Sequence, residues 1–273
     1  MTNAPVFARL ANRAAIGLSG PDWRGFLQGL ISQDVDDLRQ GEMRFGALLT
    51  PQGRVAFDLF VIATGAGALI DCAADRRAAL IERLGVYRLR AKVAVAPLET
   101  PIHALWNTAG APSGWIADPR LAALGFRSAG LGPPDGAQIA DESAFDAHRL
   151  ARGVPGSADW GDGGAYAIEA DFDLLNGIDF KKGCFVGQET TSRMKRRGAV
   201  KSRMVPIAFA GSPPAPGEEL LNGDLRAGQV RSAGNSAAIA LLRLDRLENG
   251  PLTFADGRSW RPVWPVWLKA AIT

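Results

Sequence analysis

A strand–turn–strand unit constrains this chain most. Phe45 to Leu49 and Arg54 to Ala63 are apolar runs of strand length, and Thr50-Pro51-Gln52-Gly53 between them is a turn signal. Gly65-Ala66-Gly67 turns the chain again into Ala68-Leu69-Ile70-Asp71-Cys72. Asp75 can cap a helix through about Leu84, and Lys92-Val93-Ala94-Val95 reads as a further strand. Before them, Pro21 to Leu30 reads as a helix, with Trp23, Phe26, Leu27 and Leu30 at helical spacing. The β-β-β-α-β order predicts an α+β fold, with antiparallel sheets and helices packed on a face.

Short strands continue at His103 to Trp106 and Gly114 to Ala117. Asp141 to Ala151 reads as a helix ended by Gly153 and Pro155, and Gly153 to Gly164 as loop. From Arg203 the character changes. Met204 to Ala210 is strand-like, Ser212 to Gly217 is proline-rich, and Asn222-Gly223 and Asp256-Gly257 are hairpin signals. The expected division is therefore residues 1–202 as two interleaved α+β units, and residues 203–273 as a small β-barrel. Trp260, Trp264 and Trp267 read as barrel core or interface, or as the lining of a central hole. Cys72, at the end of an apolar strand, reads as packed inside.

At 273 residues the chain can bury two or three cores, and 47% hydrophobic with 22% charged residues is ordinary for a globular protein. No apolar run is long enough to span a bilayer, and the N-terminus lacks a secretory h-region, so a cytoplasmic protein of bacterial type is expected. Two cysteines and two histidines cannot build a disulfide framework or a four-thiolate cage, and no permanently bound metal is expected. The net charge of +3 hides an asymmetry: residues 181–203 carry +7 and the remainder −4.

That basic region begins with Asp179-Phe180-Lys181-Lys182-Gly183-Cys184-Phe185-Val186-Gly187-Gln188-Glu189. A thiol acts mainly as thiolate, and nearby lysines favour the charged form. Gly183 and Gly187 permit backbone angles or close approaches that side chains forbid. Gln188 and Glu189 add donors and acceptors, so Cys184, Lys182, Gln188 and Glu189 are candidate catalytic residues. Against this, a lone cysteine is more often a small buried apolar residue.

Lys182-Gly183-Cys184-Phe185-Val186-Gly187-Gln188-Glu189 resembles the Lys-Gly-Cys-Tyr-x-Gly-Gln-Glu signature of the YgfZ family, with Phe185 in place of the usual tyrosine. That family comprises folate-binding, GcvT-like proteins of iron–sulfur cluster assembly and repair. Ser19 to Asp22 with Phe26 to Leu30 and Gln33 to Val35, Leu48 to Arg54, Tyr87 to Val93, and Gly228 to Ser232 with Ala238 to Arg243 resemble other parts of the same family. The resemblance implies a three-part ring of two α/β units with antiparallel sheets plus a C-terminal β-barrel, enclosing a central hole for reduced folate.

It implies further a folate-binding accessory factor for assembly or repair of iron–sulfur proteins, of the [4Fe–4S] class, acting more as a maturation factor than as an enzyme. Tetrahydrofolate or a related reduced folate is the implied cofactor, and iron–sulfur assembly proteins and [4Fe–4S] clients the implied partners. Cys184 would be a transient iron or cluster ligand, or a redox partner. In the related aminomethyltransferases one carboxylate grips the pterin, and Glu169 falls at that position; its alternative is a surface or salt-bridged acid. Asp58 falls where those enzymes carry an Asp-Asp pair, whose first member here is Phe57. One alternative is a tetrahydrofolate-dependent aminomethyl transferase, opposed by that missing carboxylate. The other is a basic RNA- or protein-docking module along Arg193 to Arg203, which lacks interleaved aromatics for base stacking.

Overall fold

The computed structural model describes residues 4–161, 164–198, 200–248 and 250–269. Strands β1 (Val6–Arg9) and β2 (Arg13–Ser19) are followed by helix α1 (Trp23–Gln28), β3 (Met43–Leu49), β4 (Val55–Thr64) and β5 (Gly67–Ala73). Helix α2 (Arg77–Arg88) leads to β6 (Ala94–Leu98) and β7 (Ile102–Trp106). Then come β8 (Ile116–Ala117), β9 (Phe126–Ala129), β10 (Gln138–Ala140) and helix α3 (Glu142–Ala151). A one-turn helix α4 (Ser157–Trp160) and helix α5 (Gln188–Arg197) precede the last strands. These are β11 (Ser202–Phe209), β12 (Glu219–Asn222), β13 (Leu225–Ala233), β14 (Ala238–Arg243), β15 (Leu252–Phe254) and β16 (Trp260–Pro262), followed by the turn α6 (Val266–Lys269).

The strands form three sheets. One has the order β3-β4-β5-β2-β6 and is antiparallel throughout. A second, β10-β1-β7-β9-β8, is antiparallel except where β10 runs parallel to β1. The third, β15-β12-β13-β14-β11-β16, curls until a bridge between Thr253 and Ser259 joins its edges, which makes it a nearly closed barrel. The chain is thus α+β, with antiparallel sheets and a C-terminal barrel. Because β1 lies in the second sheet and β2 in the first, the Leu10-to-Asn12 link passes between them. That crossing sets up the site below.

Local sequence explains most elements. The turn at Thr50–Gly53 joins β3 and β4 as expected, closed by Gly53 N–H donating to Thr50 C=O (2.8 Å). Asp141 caps α3 by accepting from Ala144 N–H (3.1 Å). Asp75 does not cap α2: a short 3₁₀ turn, Ala74–Arg76, holds it, and the helix runs on to Arg88. The stretch Gly153 to Gly164 contains α4, because Asp159 turns back to accept from Gly156 N–H (2.6 Å). The three C-terminal tryptophans belong to the barrel: Trp260 is buried, and Trp264 and Trp267 pack against its core. Cys72 is buried between the first sheet and its helices.

Helix α3 brings a titratable group into the core. His148 lies between Trp106 and Phe145 (ring centroids 5.3 and 6.2 Å), with Nε2 3.1 Å from Ala123 C=O. A carbonyl only accepts, so Nε2 carries the hydrogen. Burial, helped by the Arg152 charge, pushes the imidazole pKa down to about 4. The unfolded chain therefore takes up a proton near pH 6.5 that the folded chain refuses until about pH 4. Stability falls as pH drops through that window, by up to about 3 kcal/mol. In His148→Phe the urea midpoint should lose that part of its pH dependence; an unchanged slope between pH 6.5 and 4 would remove His148 as the cause.

Candidate functional site

The cysteine loop is anchored on three sides. Asp179 N–H donates to Ser32 C=O (2.9 Å), and the Asp179 carboxylate accepts from the backbone N–H of Lys181 (2.6 Å) and Lys182 (3.2 Å). That local turn sends Lys182 inward, where its Nζ donates to the carbonyls of Gln28 (2.8 Å), Ile31 (2.7 Å) and Gln33 (2.9 Å). All three ammonium hydrogens are satisfied at the carbonyl end of α1 and the turn beyond it. Burial pushes the Lys182 pKa down to about 8, against the raising effect of Asp34, Asp179 and Asp36, so it stays protonated at neutral pH. Phe185 is buried with the central core, and the Lys182 ammonium stands 5.4 Å from its ring centre.

The third anchor is glycine against glycine. Gly187 has φ +79°, and a Cβ there would stand 2.5 Å from Thr50 C=O and 3.0 Å from Gly53 Cα. Gly53 has φ +83° in its own turn and faces Gly187 C=O and Thr190. The β3–β4 turn and the cysteine loop thus meet backbone to backbone. Between the buried anchors Lys182 and Phe185, Cys184 is exposed as a free thiol. Helix α5 starts at once: Gln188 is half-buried and Glu189 exposed in its first turn. Sequence adjacency pointed to α5 only as a basic stretch, and its helical form is new.

A cavity of about 620 Å³ lies where the β1–β2 link, β4, the end of β5, β9, α3 and α4 meet. Its polar wall is built from arginines paired with aspartates. Arg13 donates to Asp58 (2.7 Å), Asp71 (2.6 Å) and Ser157 Oγ (2.6 Å). Arg127 donates to the other oxygen of Asp71 (2.5 Å), and its Nη1 lies 3.6 Å from Asp118. Arg120 grips Asp118 through two bonds of 2.9 and 2.7 Å. The guanidinium carbons of Arg13, Arg120 and Arg127 lie 5.4, 5.0 and 4.1 Å from the centre of the Phe60 ring. Arg149 pairs with Asp146 (2.8 Å) and Asp159 (3.1 Å) on the α3–α4 side. The Asp159 carboxylate also accepts from Ser232 Oγ on β13, which ties this wall to the barrel.

Asp58 is the one predicted site residue that lines the cavity. Burial opposes its ionisation, but the Arg13 guanidinium beside it holds its carboxyl below the usual carboxylate range. Glu169 is not among the lining residues. It is half-buried, accepts from Tyr166 N–H (3.2 Å), and burial pushes its carboxyl up despite Arg54 and Arg231 nearby. Its backbone carbonyl accepts from Met204 N–H (2.8 Å), so Glu169 marks the seam with the barrel. Cys184, Lys182, Gln188 and Glu189 lie outside the cavity wall as well. The structure therefore groups the four loop residues together and holds Asp58 and Glu169 in two other settings.

Sequence reasoning missed Arg13, Arg120, Arg127 and Arg149. The available signal was an arginine inside an apolar strand, as at Arg13 and Arg127, since charges are rarely buried unless paired. The basic run is also shorter than its sequence suggests. Arg203 is buried, donating to Ile168 C=O (2.8 Å), Asp171 (2.8 Å) and Asp173 (2.9 and 3.0 Å), and Lys195 pairs with Asp173 (3.3 Å). Arg193, Arg196, Arg197 and Lys201 remain on the surface. Among the described residues, no three His, Cys, Asp or Glu side chains are grouped to hold a metal ion, and no helix is long and apolar enough to cross a membrane.

Residues 201–270 match the family described as CAF17, C-terminal beta-barrel domain. The iron-sulfur cluster assembly factor IBA57 homolog, mitochondrial, of Neurospora crassa is 31% identical over 239 residues, which span 76% of this chain and 54% of that protein. Its counterpart from Mycosarcoma maydis is also 31% identical, over 76% of this chain and 58% of that protein. The chain thus spans little more than half the length of these two fungal relatives. The human iron-sulfur cluster assembly factor IBA57, mitochondrial, is 29% identical over 89% of this chain and 79% of its own length. In fold, the chain matches the crystal structure of glycine cleavage system aminomethyltransferase T from Bartonella henselae, with a TM-score of 0.79 over 97% of this chain and 86% of that one, at 17% identity.

The mitochondrial names of these relatives overturn the cytoplasmic placement. Hydropathy does not choose among compartments, because an organelle address has no long apolar run for it to detect. With a GcvT-like arrangement of sheets, a CAF17-type barrel and IBA57 relatives along three quarters or more of its length, the chain belongs to the YgfZ/GcvT-like family that includes the IBA57 proteins.

Proposed function

We propose that this protein is a folate-binding accessory factor for the assembly or repair of iron–sulfur proteins, in particular those with [4Fe–4S] clusters. The observation that carries this reading is Cys184: an exposed free thiol on a short loop held between the buried side chains of Lys182 and Phe185. One thiol on a fixed mount can ligate cluster iron in transit, because it supplies a ligand without completing a cage. The names of the IBA57 relatives supply the process. Assembly proteins and cluster-bearing clients are its partners in this reading, with Gln188 and Glu189 flanking the thiol.

Tetrahydrofolate suits the cavity. Its volume of about 620 Å³ is within the range of small-molecule sites. Arg127 Nε is buried without a hydrogen-bond partner among the described residues, and guanidinium groups suit the carboxylates of a glutamyl tail. Arg127, Arg149 and Arg76 would hold that tail, and Phe60 gives the ring system an apolar face. When bound, a reduced folate supplies a carrier for one-carbon units. Asp58, paired to Arg13 with its carboxyl pKa lowered, is a weak base, and this favours ligand binding over the aminomethyl transferase reading. Glu169 belongs to the barrel seam in this reading and supports the site through its position.

The test is aconitase-type [4Fe–4S] enzyme activity in deletion cells under oxidative stress, complemented with wild type or Cys184→Ser at equal protein level. Wild type should restore activity, and Cys184→Ser should leave it near the level of the deletion. The purified variant should keep the wild-type melting temperature and tetrahydrofolate affinity, because the thiol is exposed and off the cavity wall. Equal rescue by both proteins would end the thiol's part in the proposal, and untouched cluster enzymes in deletion cells would end the rest.

A further inference from the structure

Helix α2 ends in a surface that ordinary solvation does not explain. Its inner face buries Leu80 and Leu84 against the first sheet. On the outer side of the last turn Val86 is 65% exposed, and Leu89, just beyond the helix, is 88% exposed. Leu89 also has φ 42° and ψ −106°, a backbone region that residues with a Cβ leave when they can.

The surroundings prevent that relaxation. Tyr87 and Ala91 pack against the core on either side. Ala91 N–H donates to Arg88 C=O (2.7 Å), Val93 N–H to Ala91 C=O (2.9 Å), and Lys92 N–H to the Asp22 carboxylate (2.8 Å). The turn is rigid, and it displays an aliphatic side chain to water. Strain of this kind, over-determined by its neighbours, collects at places that bind or switch.

The charges around it are one-sided. Arg83, Arg88, Arg90 and Lys92 are exposed, and none has an ion-pair partner among the described residues. Against these four cations stand two exposed acids, Glu82 on the helix and Asp22, whose carboxylate accepts from Lys92 N–H. Elsewhere among the described residues the exposed Arg226 pairs with Glu219 (3.2 Å), while Arg193, Arg196 and Arg197 on α5 form another exposed group without such a partner. Here four cations surround two aliphatic side chains, and the complement is an apolar pair flanked by carboxylates.

We propose that the end of α2, Val86 and Leu89 ringed by Arg83, Arg88, Arg90 and Lys92, docks an acidic amphipathic segment of a partner protein. A helix with leucine-type residues at i and i+3 or i+4 and carboxylates beside them matches both parts of the surface. Nucleic acid matches the charges alone, because no aromatic ring is exposed beside them for stacking, Tyr87 being half-buried. A bilayer asks for a longer apolar face or a second anchor than two side chains supply. The docking surface stands independently of any role of Cys184.

The test places p-benzoylphenylalanine at position 86 of the full chain in living cells, with position 266 on α6, an even more exposed valine on the barrel side, as the reference site. After irradiation, crosslinked peptides are identified by mass spectrometry. The expected result is a partner peptide with adjacent acidic and aliphatic residues, captured from position 86 and not from position 266. Its yield should fall by about tenfold or more in Arg88→Glu/Arg90→Glu, since like charges now face each other. The same reversal should leave the circular dichroism spectrum and melting temperature unchanged, because both side chains are exposed. Purified protein is also presented with vesicles of one-third phosphatidylglycerol in phosphatidylcholine, and with poly(U) RNA. No capture above the reference site, a captured peptide without carboxylates, or vesicle or RNA binding that the reversal abolishes would each overturn the proposal.

Discussion

Asp71→Ala should destabilise the protein by about 3–5 kcal/mol, because it strips one buried carboxylate from between two buried guanidinium groups. Asp71 is 1% exposed and accepts from Arg13 Nε (2.6 Å) and Arg127 Nη2 (2.5 Å) on separate oxygens. Without it, Arg127 keeps one ion pair, the 3.6 Å approach to Asp118, and Arg13 keeps Asp58 and Ser157. Neither arginine reaches water easily, so two charges are left short of a partner where solvation is poor. The corresponding fall in melting temperature is roughly 8–16 °C. Glu99→Gln, which breaks an exposed pair with Arg77, should cost less than about 1 kcal/mol and serves as the reference. If Asp71→Ala melts with Glu99→Gln, the arginine–aspartate chain is not what holds the β1–β2 link against β5 and β9, and the cavity wall needs another explanation.

That chain of charges also marks the limit of what the sequence could reveal. The helix over Glu142–Ala151 was legible because its cap, Asp141, and its stop, Gly153, sit beside it in the sequence. The β3–β4 hairpin and the barrel hairpins were legible for the same reason, each turn carrying its own glycine. The cavity has no such local signature. Arg13, Asp58, Asp71, Asp118, Arg120, Arg127 and Arg149 come from separate elements, and only the crossing of β1 and β2 between sheets brings them together. The family signature singled out the cysteine loop but left the exposure of its thiol open, because burial there depends on how the loop seats against α1 and the β3–β4 turn. It misdirected the reading of Lys182, which adjacency places beside the thiol and the Asp179 turn rotates into the interior. Helix α5 was hidden by its composition: polar or charged at every position but Met194, it offers no second apolar residue to set a period, and Gly187 stands at its N-cap in the left-handed region.

Lys182→Met tests that inward reading directly, and the effect should be large. The ammonium donates to three carbonyls that have no other donor of comparable strength, at 2.7 to 2.9 Å, and hydrogen bonds from a charged group are worth about 1.5–3 kcal/mol with further cost for acceptors left bare. Methionine keeps the length and the apolar stem and removes only the donors. A loss of about 2–3 kcal/mol in urea unfolding is expected on those grounds. The thiol gives an independent readout. If Lys182 anchors the loop, Cys184 stays exposed and its alkylation rate at pH 7 changes by no more than about twofold, whereas a lysine that favours the thiolate would cost about tenfold in rate for each pK unit lost. Wild-type stability with a tenfold slower thiol would return Lys182 to the chemistry of Cys184. Lost stability with an unchanged thiol would make it the mount, the residue that couples α1 and the Gln28-to-Gln33 turn to the exposed thiol of Cys184.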